Sequence, residues 1–217
     1  MKKLYSVYRE AIKALTDAGC DSPEFDAQQL VSYCLGMNKT QLLLNSGAPV
    51  EEGKMIFFED CVKKRCNHEP LQYIIGMWDF HRFSFKVGEG VLIPRPETEL
   101  LVEFAAEKIQ KNDFQVVYDL CCGSGCIGLT VAKLFPKVKV ICIDLSDKAI
   151  EYTTMNKELL GADNVTIVKA DVLDSVGFLG LPRPDIILSN PPYIKTEEIK
   201  NLQPEIAFEP FMALDGG

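Results

Sequence analysis

The 217-residue sequence is short of several things, and each shortage narrows its function. No stretch approaches the roughly 18 to 20 consecutive apolar residues that a membrane-spanning helix needs. The opening MKKLYSVYRE carries two lysines but then polar residues at every second or third place, with no small-residue cleavage site, so it does not read as a secretory leader. Positive charge is in deficit: Lys+Arg number 23 against 31 for Asp+Glu, a net charge of −8. That balance works against a chain that grips phosphate backbones, and leaves small-molecule and protein substrates open. With 47% hydrophobic and 25% charged residues, the composition is neither that of a disordered chain nor that of a collagen-like repeat. Cysteine is plentiful, at eight, but signals for pairing it are missing. Without a secretion signal the expectation is free thiols in a reducing, cytoplasmic setting and no disulfide framework. Cys61-x4-Cys66-x-His68 has a faint metal-like look, yet it lacks a second half at zinc-site spacing and fits successive turns of one helix, so no metal is predicted.

At about 150 residues per domain, the length allows one large domain or two small ones. Charge favours two: residues 1–76 hold 9 basic and 10 acidic residues, residues 77–217 hold 14 and 21. The first part reads as helices. Leu4, Val7, Tyr8, Ala11, Leu15 and Ala18 recur at helical spacing before Gly19. Ser22-Pro23-Glu24 predicts a helix start with a capping hydroxyl, running to about Gly36. Helices near Thr40–Asn45 and Val50–Cys66 follow. The predicted divisions are a helical docking domain over 1–75, a β-hairpin linker over 76–97 and a larger domain over 98–217. Trp78 to Val87 alternates apolar and polar residues, Gly88-Glu89-Gly90 is the expected turn, and Val91–Ile93 the expected return strand. Trp78 and His81 are expected to pack this hairpin. Pro94-Arg95-Pro96-Glu97-Thr98-Glu99 reads either as a rigid loop into a helix over Glu99–Gln110, or as a device holding Arg95 and Glu97 beside a pocket.

Strands and helices then alternate, which predicts an α/β domain with a parallel sheet. Strands are expected at Val116–Leu120, Val138–Ile143, Val165–Val168 and Asp185–Leu188, with helices near Gly125–Leu134 and Lys148–Leu160. Ligands bind beyond the carboxyl ends of such strands, and the informative residues fall there. Gly123-x-Gly125-x-x-Gly128 follows the first strand, and Asp144 lies 19 residues past Gly125 at the end of the second. The glycines let backbone approach a ligand, and the acid is placed for a ribose diol. Asp119, inside the end of the first strand, would repel a pyrophosphate but suits a cationic nucleoside. S-adenosylmethionine has that character, with a sulfonium, an ammonium and no phosphate. Asp171, after the third strand, is placed near an adenine. Simple solvation of strand ends remains the alternative for Asp144 and Asp171.

Ser189-Asn190-Pro191-Pro192-Tyr193 ends the fourth strand, beside the glycine loop, where strand order is expected to reverse. Two prolines fix the backbone and remove two N–H donors, leaving carbonyl oxygens free to accept. The Asn190 side-chain oxygen and the Pro191 carbonyl can then hold both hydrogens of a planar NH2 group, with Tyr193 stacked on it. Such a site orients an amide or exocyclic amine nitrogen toward a methyl donor.

Asp119–Gly125 together with Asn190-Pro191-Pro192-Tyr193 resembles the motif pair of S-adenosylmethionine-dependent amino-methyltransferases. Leu92-Ile93-Pro94-Arg95-Pro96-Glu97-Thr98-Glu99, Glu69 to Gly76 and Phe208-Glu209-Pro210 are similar to one branch of these, the HemK/PrmC family of protein-(glutamine-N5) methyltransferases acting on peptide chain release factors. The resemblance implies a Rossmann-like domain, S-adenosyl-L-methionine as cofactor, and the glutamine of the release factor's Gly-Gly-Gln loop as substrate. It implies cofactor contacts from Asp119, Leu120, Cys121, Cys122, Gly123, Gly125, Asp144, Asp171 and Asn190. Asn190, Pro191 and Tyr193 would act on the glutamine, with Pro192, Arg95 and Glu97 lining its pocket, and the helical domain would dock the release factor. One departure stands out: the family's Asp-Leu-Gly-Thr-Gly here reads Asp119-Leu120-Cys121-Cys122-Gly123, placing a Cβ at position 121.

Three functions remain open at this level: glutamine methylation of release factors, N6-adenine methylation of nucleic acid, and a non-catalytic module that keeps only the fold. No direct nucleic-acid contact and no membrane contact are expected. The resemblance implies seven strands, whereas four are counted. The expectation is therefore a sheet truncated at its C-terminal end, with an apolar edge at Asp185–Leu188 open to self-association.

Overall fold

Leu4, Val7, Ala11 and Leu15 are the buried stripe of α1, Leu4–Asp17, and they recur every three or four residues as a helix facing a core requires. The computed structural model describes residues 2–174 and 180–217. The chain divides into two compact units, Met1–Ile75 and Gly76–Gly217. In the first unit α1 is followed by α2 (Pro23–Leu35), α3 (Lys39–Leu44), α4 (Glu52–Cys66) and the short α5 (Leu71–Ile75). Pro23 opens α2 where a helix has no use for an N–H, and Gly36 ends it in the left-handed conformation. The expected Ser22 cap does not form: its hydroxyl makes no capping bond, and only its carbonyl takes part, accepting the Asp26 N–H. Asn38 and Gln41 instead supply a reciprocal capping box to α3.

Sequence reading missed the polar pair at the centre of this unit. Arg65 Nε donates to Asp26 Oδ2 at 2.7 Å, with both side chains 7% exposed. Apolar periodicity is blind to such a pair, because each partner sits where a hydrophobic residue would otherwise be expected.

The second unit opens on a hairpin of β1 (Met77–Phe80) and β2 (Phe83–Lys86), closed by Phe80 opposite Phe83. Its turn is therefore His81-Arg82, not the predicted Gly88-Glu89-Gly90, and Val91–Ile93 forms no strand. His81 takes a positive φ of 57°, a conformation that glycine usually announces. It is held there by Glu99, which accepts its N–H at 2.9 Å, and by Glu103, 2.6 Å from its ring Nε2. Gly88 and Gly90 serve close packing instead: a Cβ on Gly88 would lie 2.1 Å from the Tyr152 hydroxyl, and one on Gly90 2.8 Å from Lys148.

After a 3-10 turn, Pro96–Thr98, the chain alternates α6 (Glu99–Asn112), β3 (Val116–Leu120), α7 (Cys126–Leu134), β4 (Lys139–Asp144), α8 (Asp147–Leu160), β5 (Val165–Lys169) and β6 (Ile186–Ser189). Each of the four strands lies within one residue of its predicted position. All pair in parallel, in the order β5-β4-β3-β6. Val117, Val140, Cys142, Val165 and Leu188 face a core shared with α6 and α7, while Tyr118, Ile141 and Ile143 face the other side. Both faces of the central strands are thus apolar, as a parallel sheet demands. Among the described residues the sheet has four strands. The chain moves outward from β3 through β4 to β5, then returns to place β6 on the opposite flank of β3. The loops after β3 and β6 consequently flank a switch point, where a ligand crevice opens.

After β6 come α9 (Thr196–Ile199), a 3-10 turn (Pro204–Phe208) and α10 (Phe211–Leu214). The last segment returns to the loop after β6: Ile194 donates to Leu214 O at 3.0 Å and Gly216 donates to Ile194 O at 2.9 Å. Among the described residues no helix is long and apolar enough to cross a membrane.

Removing one partner of a buried ion pair strands the other charge. Asp26→Ala should therefore cost about 3–5 kcal/mol, read as a lower urea midpoint at an unchanged m value. A loss under 1 kcal/mol would show that the other partners of Arg65, the Glu69 carbonyl among them, suffice to hold its charge.

Candidate functional site

The turn between β3 and α7 has to expose backbone at a cavity while its own polar groups go into the interior. Four side chains resolve that conflict. Asp144, at the end of β4, accepts the Gly123 N–H at 2.9 Å through Oδ2 and the Ser146 N–H at 2.9 Å through Oδ1. Thr153, fully buried on α8, donates to Gly123 O at 2.9 Å. Asn156, one turn further on, donates to Ser124 O at 2.9 Å and to Lys86 O at 3.0 Å, and accepts the Lys86 N–H at 2.6 Å. Asp119 accepts the Gly128 N–H at 2.8 Å. Gly128 permits that approach, because a Cβ there would fall 2.9 Å from Asp119 Oδ2 and 2.6 Å from Cys142 Sγ. Gly123 and Gly125 adopt positive φ, and so does Cys121, at 57°. A non-glycine residue in that region is strained by about 1–2 kcal/mol. Cys121 carries that strain in a conformation that glycine would adopt freely.

Around this turn lies a cavity of about 460 Å3, within the roughly 300–1,000 Å3 of small-molecule sites. Of the residues singled out in the sequence, Arg95, Cys121, Cys122, Gly123, Asp144, Asp171, Asn190, Pro191 and Pro192 line it. Leu120, Gly125, Glu97, Asp119 and Tyr193 do not. Glu97 is exposed on its 3-10 turn, and Tyr193 is 74% exposed outside the wall. Asp119 is fully buried and faces α7, so it acts on the cavity through the fold rather than by touching a ligand. Leu145, Ile127, Ala149 and Val172 give the cavity an apolar lining.

These residues fit a nucleoside of the kind predicted. Two of the roughly four acceptor positions on Asp144 are used by Gly123 and Ser146, which leaves capacity for a diol. The Gly123 turn sets backbone at the wall, and a Cβ there would meet only Val91, at 3.8 Å.

Pairing of β6 with β3 brings the second motif to the same cavity. Ser189 lies opposite Leu120 and donates its hydroxyl to Leu120 O at 2.9 Å. Asn190 and Pro191 follow directly onto the wall. Gly216 backs this loop so closely that a Cβ would sit 2.8 Å from Tyr193 Cα and 2.9 Å from Pro192 O. Thr153, Asn156 and Gly216 were not found from sequence. A Thr and an Asn at the buried positions of α8, in line with Ala149, were the available signal.

Burial dominates the electrostatics beneath the turn. It pushes the Asp119 carboxyl up from 3.8 to about 7, helped by the nearby Asp144 charge and opposed by the Gly128 N–H. Among the described residues its Oδ1 has no hydrogen-bond partner. Burial and then Asp119 push the Cys126 thiol up to about 12, and burial with the Asp144 charge raises Cys121. These thiols stay protonated near neutral pH, which makes them packing groups rather than nucleophiles.

Residues 6–76 match the PrmC N-terminal domain family, and residues 96–209 match the methyltransferase small domain family. The release factor glutamine methyltransferase of Thermodesulfovibrio yellowstonii is 42% identical over 196 residues, covering 88% of this chain and 68% of that protein. That of Clostridium acetobutylicum is 38% identical over 220 residues, covering 99% and 73%. Among solved structures, precorrin-6y C5,15-methyltransferase from Geobacter metallireducens superposes with a TM-score of 0.41 at 20% identity, over 48% of this chain and 52% of that one.

A carboxyl that titrates near 7 when folded and near 3.8 when unfolded binds its proton more tightly in the fold. Its contribution is complete below about pH 4 and is lost as pH rises to about 7. The Tm difference, Asp119→Asn minus wild type, should therefore increase from pH 4 to pH 7 and level off above. A difference flat across that window would place the Asp119 pKa in the ordinary range.

Proposed function

Because the chain belongs to the release factor glutamine methyltransferase family, we propose that it methylates the side-chain amide nitrogen, N5, of the glutamine in the Gly-Gly-Gln loop of peptide chain release factors. S-adenosyl-L-methionine is the methyl donor, supplying a methyl group on a positively charged sulfur that departs as a neutral thioether. Asp144 accepts from the ribose diol, and the Gly123 turn lets backbone lie against the nucleoside. Asn190 Oδ1 and the Pro191 carbonyl accept the two hydrogens of the glutamine amide, and Tyr193 closes over its plane from outside the wall. An amide nitrogen is a poor nucleophile because its lone pair is delocalised. Two fixed acceptors pull electron density onto it and set its line of approach. As the N–C bond forms, the amide nitrogen releases one proton to bulk water, which leaves a neutral N-methyl amide. The helical unit docks the body of the release factor.

The observation carrying this reading is the register of β6 on β3. With Ser189 opposite Leu120, the Asn190-Pro191-Pro192 loop and the Gly123 turn line one cavity. Protein is favoured over nucleic acid as substrate because residues 77–217 hold 21 acidic residues against 14 basic ones.

Incubation with the methyl donor and a release factor, followed by peptide mass spectrometry, should place one added methyl on the glutamine of Gly-Gly-Gln. Asn190→Ala should lower that rate by about 100- to 1,000-fold. Label entering RNA or DNA and not the release factor would overturn the reading.

A further inference from the structure

Among the described residues on the cavity wall, charge is lopsided: Asp144, Asp171 and Asp215 are acidic, and Arg95 is the one cation. Arg95 does not move freely. Its guanidinium donates to Glu209 Oε1, while Glu209 Oε2 accepts the Ile93 N–H at 3.0 Å. The Glu209 side chain is 1% exposed and that of Arg95 33%. One buried carboxylate thus ties the segment before α6 to a residue 114 positions later and fixes where the guanidinium points.

A guanidinium has five N–H donors in a planar fork and can hold two carboxylates at once. The pairing with Glu209 uses one edge and leaves donors for a second anion. On a wall with three carboxylates, an anionic ligand group has Arg95 as its one cationic partner among the described residues. The methyl donor ends in an amino acid whose carboxylate is its only anionic group. We propose that Arg95 recognises that carboxylate, and that Glu209 is a positioning residue that presents Arg95 to it. This rests on the cofactor reading above, and it assigns Arg95 to the donor rather than to the glutamine.

The test compares two ligands by calorimetry: S-adenosylhomocysteine, and its decarboxylated analogue, which keeps the adenosine and the amine. Wild type should bind the carboxylate-bearing ligand about tenfold or more tightly than the analogue. Arg95→Gln should erase that preference by weakening S-adenosylhomocysteine alone, leaving the analogue within about twofold, and Arg95→Lys should restore part of it. Glu209→Gln should weaken S-adenosylhomocysteine several-fold with the same selectivity. If that variant fails to fold, Arg95→Gln, on a partly exposed side chain, decides the matter alone. A merely structural role would weaken both ligands equally, and that result overturns the inference. So does unchanged binding of S-adenosylhomocysteine to Arg95→Gln, with the loss appearing instead in the KM for the release factor. Wild type that binds neither ligand overturns the cofactor reading and this inference with it.

Discussion

The site depends on one constraint: the backbone of the turn after β3 must be satisfied from below so that it can face a ligand above. Gly123 N–H and C=O, Ser124 C=O and Gly128 N–H are each bonded to a side chain, from Asp144, Thr153, Asn156 and Asp119 in turn. An unpaired buried backbone group costs about as much as a lost hydrogen bond, so four such groups left open would collapse the turn. Three elements meet through these bonds. The end of β4 sets Asp144, α8 sets Thr153 and Asn156, and Asn156 carries the connection to β2 through Lys86. The Asn156 amide thereby links the hairpin to this turn, beside the packing of Phe80 and Phe85 with Cys122 and Cys126 in one core.

Much of the second unit was legible because its signals are local. Val- and Ile-rich runs fell where β3 to β6 form, and the glycines at 123, 125 and 128 marked the turn. The position of the Asn-Pro-Pro-Tyr loop beside that turn followed from the expected reversal of strand order, which β6 pairing with β3 supplies. What failed was legible only at long range. His81 adopts a left-handed conformation without being glycine, held by Glu99 and Glu103 from α6. Gly88 and Gly90 looked like a turn but serve the close approach of Tyr152 and Lys148. Thr153 and Asn156 act on partners about 30 residues away, and Glu209 on one 114 away, so no local spacing reveals them.

Cys121 shows how a substitution in a motif becomes a physical question. Position 121 needs a positive φ, which glycine provides without strain and cysteine does not. The surrounding bonds hold it nonetheless, since Cys122 N–H is bonded to Ile143 O at 3.1 Å and Gly125 N–H to Cys122 O at 2.8 Å. Small side chains at 122, 126 and 142 pack beneath the turn; burial raises the thiols at 121 and 126, and the contact with Cys122 together with burial raises that at 142.

The central claim is that the turns after β3, β4 and β5 form one nucleoside cavity. Amide hydrogen exchange with and without S-adenosylhomocysteine measures this directly. Added protection should concentrate at residues 121–126, 144–146 and 171–173, with α1 to α4 unchanged. Protection confined to the helical unit, or no change at the three turns under saturating ligand, would contradict the account.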